Sequence, residues 1–171
     1  MSATEVESFL AEERTATCAT LGPRGWPHLM PLWYLLRPAP VARKAPGGEG
    51  PLEPEPAVRV WAWTYAASQK VRNLERDPRA TLQVETGESY DQLRGVMLEC
   101  EVIVHRDIET VTDLGREIFK RYTSARGEPP AETLGAELAG MIAGQAAKRV
   151  GLEFAERRRA SWDHRKLGGV Y

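Results

Sequence analysis

Two segments of this chain alternate at period two and yet are apolar on both faces, which restricts what can surround them. From His28 to Leu36, Leu29, Pro31, Trp33 and Leu35 point one way, and Met30, Leu32, Tyr34 and Leu36 the other. From Val58 to Tyr65, Val58, Val60 and Ala62 share one face, while Arg59, Trp61, Trp63 and Tyr65 share the other. Such strands need cover on both sides. A barrel interior supplies one cover, and either flanking helices or a second copy of the chain supplies the other.

The rest of the chain completes a barrel. Thr4-Glu5-Val6-Glu7 has capping-box spacing, and Val6, Phe9 and Leu10 follow on one helical face, predicting an opening amphipathic helix. Residues 15–21 read as a strand, Gly22-Pro23-Arg24-Gly25 as a turn and 28–36 as the returning strand. Alternation of Ala80, Leu82 and Val84, then of Val96, Leu98, Cys100, Val102 and Val104, predicts strands at 79–85 and 94–105 with a turn near Gly87. Val111, Leu114, Ile118 and Tyr122 form a helical stripe over 108–123. A second stripe, Leu134, Leu138, Met141 and Ile142, predicts a helix over 131–146 despite Gly135, Gly140 and Gly144. Val150, Leu152 and Phe154 then alternate, Arg157-Arg158-Arg159 reads as a turn or strand edge, and 160–165 returns. This order predicts a mainly β fold with flanking helices, an antiparallel barrel of six or seven strands. Residues 38–56, rich in proline and glycine and carrying Arg43-Lys44, read as a loop inserted within a single domain spanning 1–171.

Composition narrows the classes of function. With 171 residues and 42% hydrophobic content, one core can bury about two-thirds of the unfolded surface. The net charge of -1 gives no global attraction to nucleic acid or to an anionic membrane. No apolar run approaches about 18 residues, and no basic segment precedes an apolar stretch at the N-terminus, so a soluble cytoplasmic protein is expected. Cys18 and Cys100 lie far apart in strand-like runs and read as core residues. His28, His105 and His164 lack metal-ligand spacing, and no metal is expected. Glu85, Glu99 and Glu101 sit on strand faces, where carboxylates point to solvent. There is no Gly-x-Ser-x-Gly elbow, no His-Glu-x-x-His helix and no Walker or Rossmann glycine pattern.

One run gathers polar chemistry. From Trp63 to Arg79 the chain passes from the end of a strand at Tyr65 to a helix capped by Ser68 and stopped near Asp77-Pro78. Free N–H groups at that helix start, the Ser68 hydroxyl and the Lys70 ammonium suit an anion. The same residues equally describe a capped helix with a solvated lysine.

Four separated motifs, in order, carry a family resemblance. Gly25-Trp26-Pro27-His28-Leu29-Met30-Pro31-Leu32-Trp33 is the first, and Ser68-Gln69-Lys70-Val71-Arg72-Asn73-Leu74 with Asp77-Pro78-Arg79 the second. Leu93-Arg94-Gly95-Val96 and Ser161-Trp162-Asp163-His164-Arg165-Lys166 complete the set. From about residue 8 onward the chain resembles the pyridoxamine 5'-phosphate oxidase-like split β-barrel superfamily, and within it the flavin/deazaflavin oxidoreductases that use coenzyme F420.

The resemblance implies a homodimer with cofactor sites at the interface. Lys70 and Ser68 would meet the cofactor phosphate, with Gln69 and Tyr65 nearby. Pro31, Trp33, Trp63 and Thr64 would border the ring system, and Trp162 with His164 or Lys166 would close the site from the other copy. It implies hydride transfer between the cofactor and a small organic substrate, with no catalytic protein nucleophile. The alternatives are an FMN-dependent oxidoreductase and a non-catalytic protein that holds a flavin or haem. Arg72, Arg76, Arg79 and Arg157 to Arg159 could attract the acidic tail of F420 or form solvated basic faces. The 38–56 loop departs from the family pattern by lengthening a connection that is usually a tight hairpin, and would cover the pocket mouth, extend the dimer contact or remain disordered.

Overall fold

A computed structural model describes residues 1–40, 57–124 and 135–168. Much of the 38–56 loop and the start of the 131–146 helix therefore lie outside the described residues. Among the described residues six strands close into a barrel: β1 (Thr15–Leu21), β2 (Pro27–Pro38), β3 (Val58–Tyr65), β4 (Arg79–Thr86), β5 (Arg94–His105) and β6 (Arg149–Asp163). Their order around the barrel is β1-β2-β3-β6-β5-β4, and every pairing is antiparallel. Four α-helices among the described residues accompany them: α1 (Ala3–Glu12), α2 (Gln69–Arg76), α3 (Ile108–Ser124) and α4 (Gly135–Ala146). None of the described helices is long and apolar enough to cross a membrane.

The two short helices plug opposite ends of the barrel. At the end where β1 begins, α1 seats Val6, Phe9 and Leu10 in the core, and the Tyr34 hydroxyl donates to the Leu10 carbonyl at 2.8 Å. At the other end α2 seats Val71 and Leu74, and buried Asn73 donates to the Thr20 hydroxyl at 3.0 Å. The capping box of α1 is built two residues earlier than expected. Ser2 accepts from the Glu5 N–H at 3.3 Å, and its own N–H donates to the Glu5 carboxylate at 2.6 Å, so Thr4 already lies inside the first turn.

The expected final hairpin is a single strand. Glu99 pairs with Arg158 but Cys100 with Glu156, which leaves Arg157 as the extra residue of a bulge. The bulge bends β6 without ending it. Arg157 is ion-paired with Glu101 at 2.6 Å and Arg159 with Glu156 at 2.5 Å, so the charged run is held within the sheet instead of turning out of it.

Helix α3 supplies part of the outer cover that the doubly apolar strands require. Leu114, Ile118 and Tyr122 pack on Leu35, Trp61 and Trp63. Trp33 stacks on Tyr122 at 4.3 Å between ring centres but remains 49% exposed, and Leu29 on the same face of β2 is also exposed. Among the described residues nothing covers that part of the outer face.

The barrel is split along β2. The β2–β3 ladder runs only from Tyr34 opposite Ala62 to Pro38 opposite Val58, whereas β1 pairs with β2 from Pro27 to Trp33. Tyr34 turns its N–H and C=O toward β1, where the Tyr122 hydroxyl meets both at 2.8 Å and also reaches the Arg14 carbonyl. Alternation then sets the backbone of Pro31 on the open edge, where its missing N–H costs no ladder bond. Beyond the ladder, the N–H of Ala39 donates to the carbonyl of Ala57 at 2.9 Å, so the inserted loop leaves and rejoins the sheet at one point.

Candidate functional site

The split opens a cleft of about 500 Å³ between the free edge of β2, the end of β3 and the start of α2. Eight sequence-predicted residues line it: Pro31, Trp33, Trp63, Thr64, Tyr65, Ser68, Gln69 and Lys70. The cleft exists because β3 leaves β2 after Ala62 and turns directly into the helix. Trp162 and His164 lie elsewhere in the same chain. The Trp162 indole rests on Gly95, where an added Cβ would come within 2.3 Å of it, and the His164 ring contacts the Tyr90 carbonyl at 2.8 Å. Lys166 is ion-paired with Glu5 at 2.7 Å.

Lys70 is the most constrained group in the cleft. It is only 5% exposed, and among the described residues its ammonium makes one contact, at 3.4 Å to the Thr64 hydroxyl. Among the described residues no carboxylate lies within ion-pair distance of it. Burial pushes its pKa below the ordinary value of 10.5, and burial likewise raises the neighbouring Cys18 thiol to about 11. A buried ammonium with three donors and one distant acceptor is poorly satisfied by protein alone.

The helix start beside it has the expected geometry. The Ser68 side chain accepts from the Val71 N–H at 3.4 Å, leaving the Gln69 and Lys70 N–H groups without helical partners. Gln69, in contrast, turns along the helix and donates to Asn73 at 2.8 Å. Arg76 folds back to the Leu21 carbonyl, and Arg79 is clamped to Asp77 at 2.7 Å. These two arginines, with Arg157 and Arg159, are engaged within the chain.

The ring-sized walls are aromatic. Trp63 lies against α3 at Gly115, where an added Cβ would come within 2.4 Å of the indole. Gly115→Ala is expected to displace Trp63 and to cost about 1–3 kcal/mol through overpacking. A thermal melt and the tryptophan emission spectrum check both parts. Tyr65 is 53% exposed, and the Arg149 guanidinium stands over both rings, 4.6 Å from Trp63 and 4.2 Å from Tyr65.

Arg149, His28, Met30, Leu32 and Thr15 also line the cleft and were not predicted as site residues. His28 and Met30 fall within the first sequence motif, so that signal was available. Arg149 reaches the cleft only through the register that sets it opposite Tyr65 across β3 and β6, which no local pattern encodes. The lining carries two fixed positive charges, Lys70 and Arg149, and no Asp or Glu. Its chemistry fits an anionic ligand with a flat apolar portion.

Comparison with known proteins agrees with this architecture. The family model described as pyridoxamine 5'-phosphate oxidase matches residues 2–141. The conserved hypothetical protein Rv2991 from Mycobacterium tuberculosis is similar over 100% of this chain and 90% of its own, at 36% identity and a TM-score of 0.75. An F420 reductase shares the fold at 18% identity and a TM-score of 0.55, with 90% of this chain and 94% of that one covered. A FAD-binding protein from Mesorhizobium loti does so at 16% identity and a TM-score of 0.58, with 94% of each covered. No curated protein matches the sequence. The chain belongs to the pyridoxamine 5'-phosphate oxidase family, with its six-stranded split barrel.

Proposed function

We propose that this protein is an oxidoreductase of that family which binds coenzyme F420 in the split and transfers hydride between it and a small organic substrate. The observation that carries the reading is Lys70: a buried ammonium, without a carboxylate partner among the described residues, beside the open N–H groups of a helix start. A phosphate there would complete its hydrogen bonding and benefit from the helix dipole. Lys70 and Ser68 hold that phosphate, while Trp33, Trp63, Thr64 and Pro31 border the ring. Met30 and Leu32 keep water from the inner wall. Tyr65 shields the mouth, and Gln69 fixes the helix through Asn73 rather than touching the anion. When bound, the cofactor supplies the hydride chemistry, so the protein needs only to orient it and exclude water.

A second copy of the chain completes the site. The exposed Leu29, Met30 and Trp33 on the free edge support this homodimer, in which Trp162 and His164 of the second copy close the cleft. FMN is the alternative cofactor, since its phosphate suits the same cradle. The test is a titration of the purified protein with F420 and with FMN, followed by ligand fluorescence. Micromolar binding of F420, tighter than FMN, is the expected result; tighter FMN binding overturns the cofactor choice, and binding of neither overturns the reading.

A further inference from the structure

We propose that Tyr122 is a positioning residue for the ring-binding part of the cleft, acting through Trp33 to fix the wall against which the flat portion of the cofactor lies. This rests on the reading of the cleft as a cofactor site. Tyr122 does not itself line the cleft. Its ring lies 4.3 Å from that of Trp33 and only 10° from parallel to it, and Trp33 does line the cleft.

The stack sits where the barrel splits. The β2–β3 ladder ends at Tyr34 opposite Ala62, and one residue further the same register would set Trp33 opposite Trp63. The two indoles are therefore the first side chains on either side of the opening. Both lean on α3. Gly115 makes room for Trp63, and Tyr122, two helical turns further along the same face, stacks on Trp33. One helix thus sets the positions of both walls.

The Tyr122 hydroxyl fixes the same point from behind. The β1–β2 ladder ends at Thr15 opposite Trp33, and the next pair would be Arg14 opposite Tyr34. In its place the hydroxyl accepts from the Tyr34 N–H at 2.8 Å and donates its one proton to the carbonyl of Tyr34, at 2.8 Å, or of Arg14. The hydroxyl anchors β2 to α3, and the ring orients the indole that meets the ligand. An indole already held by a stack loses less freedom on binding than a free one.

The experiment measures the affinity of wild type, Tyr122→Phe, Tyr122→Leu, Trp33→Leu and the Trp33→Leu/Tyr122→Leu double variant for F420, FMN and riboflavin, with tryptophan emission recorded on each. Tyr122→Leu is expected to weaken all three ligands by about tenfold while the FMN-to-riboflavin ratio, which reports the phosphate contact, stays within about twofold of wild type. Tyr122→Phe keeps the stack and binds within about threefold of wild type, although the lost hydroxyl lowers its melting temperature. In the Trp33→Leu background, Tyr122→Leu costs less than about a further twofold, and its effect on emission disappears. If Tyr122→Leu weakens binding equally with and without Trp33, shifts the FMN-to-riboflavin ratio, matches Tyr122→Phe, or leaves binding unchanged, Tyr122 only packs α3 on the barrel and the cofactor reading stands. If wild type binds none of the three, the cofactor reading falls, and this role with it. Tyr122→Met fills the same space without stacking and carries the same comparison should the leucine variant fold poorly.

Discussion

Replacing Lys70 by methionine is expected to abolish tight cofactor binding and, at the same time, to stabilise the ligand-free protein. Among the described residues the ammonium is buried with a single neutral contact at 3.4 Å, which compensates its desolvation poorly. Removing it from the complex strands a phosphate in a cleft with no carboxylate but also with one cation fewer. Loss of one partner of a desolvated, hydrogen-bonded charge pair costs about 2–5 kcal/mol. A binding titration with F420 measures this.

The stability gain has a defined pH dependence. Because the folded-state pKa of Lys70 lies below 10.5, the unfolded chain binds more protons than the folded one between the two values. Wild-type stability therefore rises with pH across that interval, while at neutral pH the full cost of the buried charge is present. The melting temperature of Lys70→Met should exceed that of wild type near neutrality, and the difference should shrink as pH approaches 10.5. A variant that melts below wild type at neutral pH and binds F420 normally would contradict both halves.

The contrast between Lys70 and Arg149 shows what the sequence could reveal. Ser68, Lys70 and the stop at Asp77-Pro78 act within one stretch of chain, so capping rules and helical spacing locate that helix start as the structure does. The strand limits at Thr15, Val58, Tyr65 and His105 follow likewise from alternation. Arg149 depends on β3–β6 register, and Gly95 on the indole that Trp162 lays over it from the neighbouring strand. Neither relation has a local signature. The run Arg157-Arg158-Arg159 misled for a related reason: three consecutive charges break the period-two pattern. The structure accommodates them through a bulge and through Glu101, which is supplied by another strand.

Replacing Glu153 by alanine is expected to give the largest loss of stability. Glu153 is 5% exposed on β6 and joins three strands: Arg59 of β3 donates to its Oε1 at 2.6 Å, and His105 of β5 meets its Oε2 at 2.8 Å. The His105 ring also stacks on Trp61 with centroids 4.7 Å apart, so both the charge network and the packing under α3 converge on this carboxylate. Removing one member of a buried ionic cluster costs about 3–5 kcal/mol, because the groups left behind lose compensation in a poorly solvated site. For a domain of this size that corresponds to a fall of roughly 6–20 °C in melting temperature. Arg59→Ala combined with Glu153→Ala should cost less than the sum of the two single changes, since both interrupt the same contact. Glu153 does not line the cleft, so well below the melting temperature the Glu153→Ala variant should bind F420 within about threefold of wild type. A much larger loss would mean that the cluster holds the start of β6, and Arg149 with it, in the position that the cleft requires.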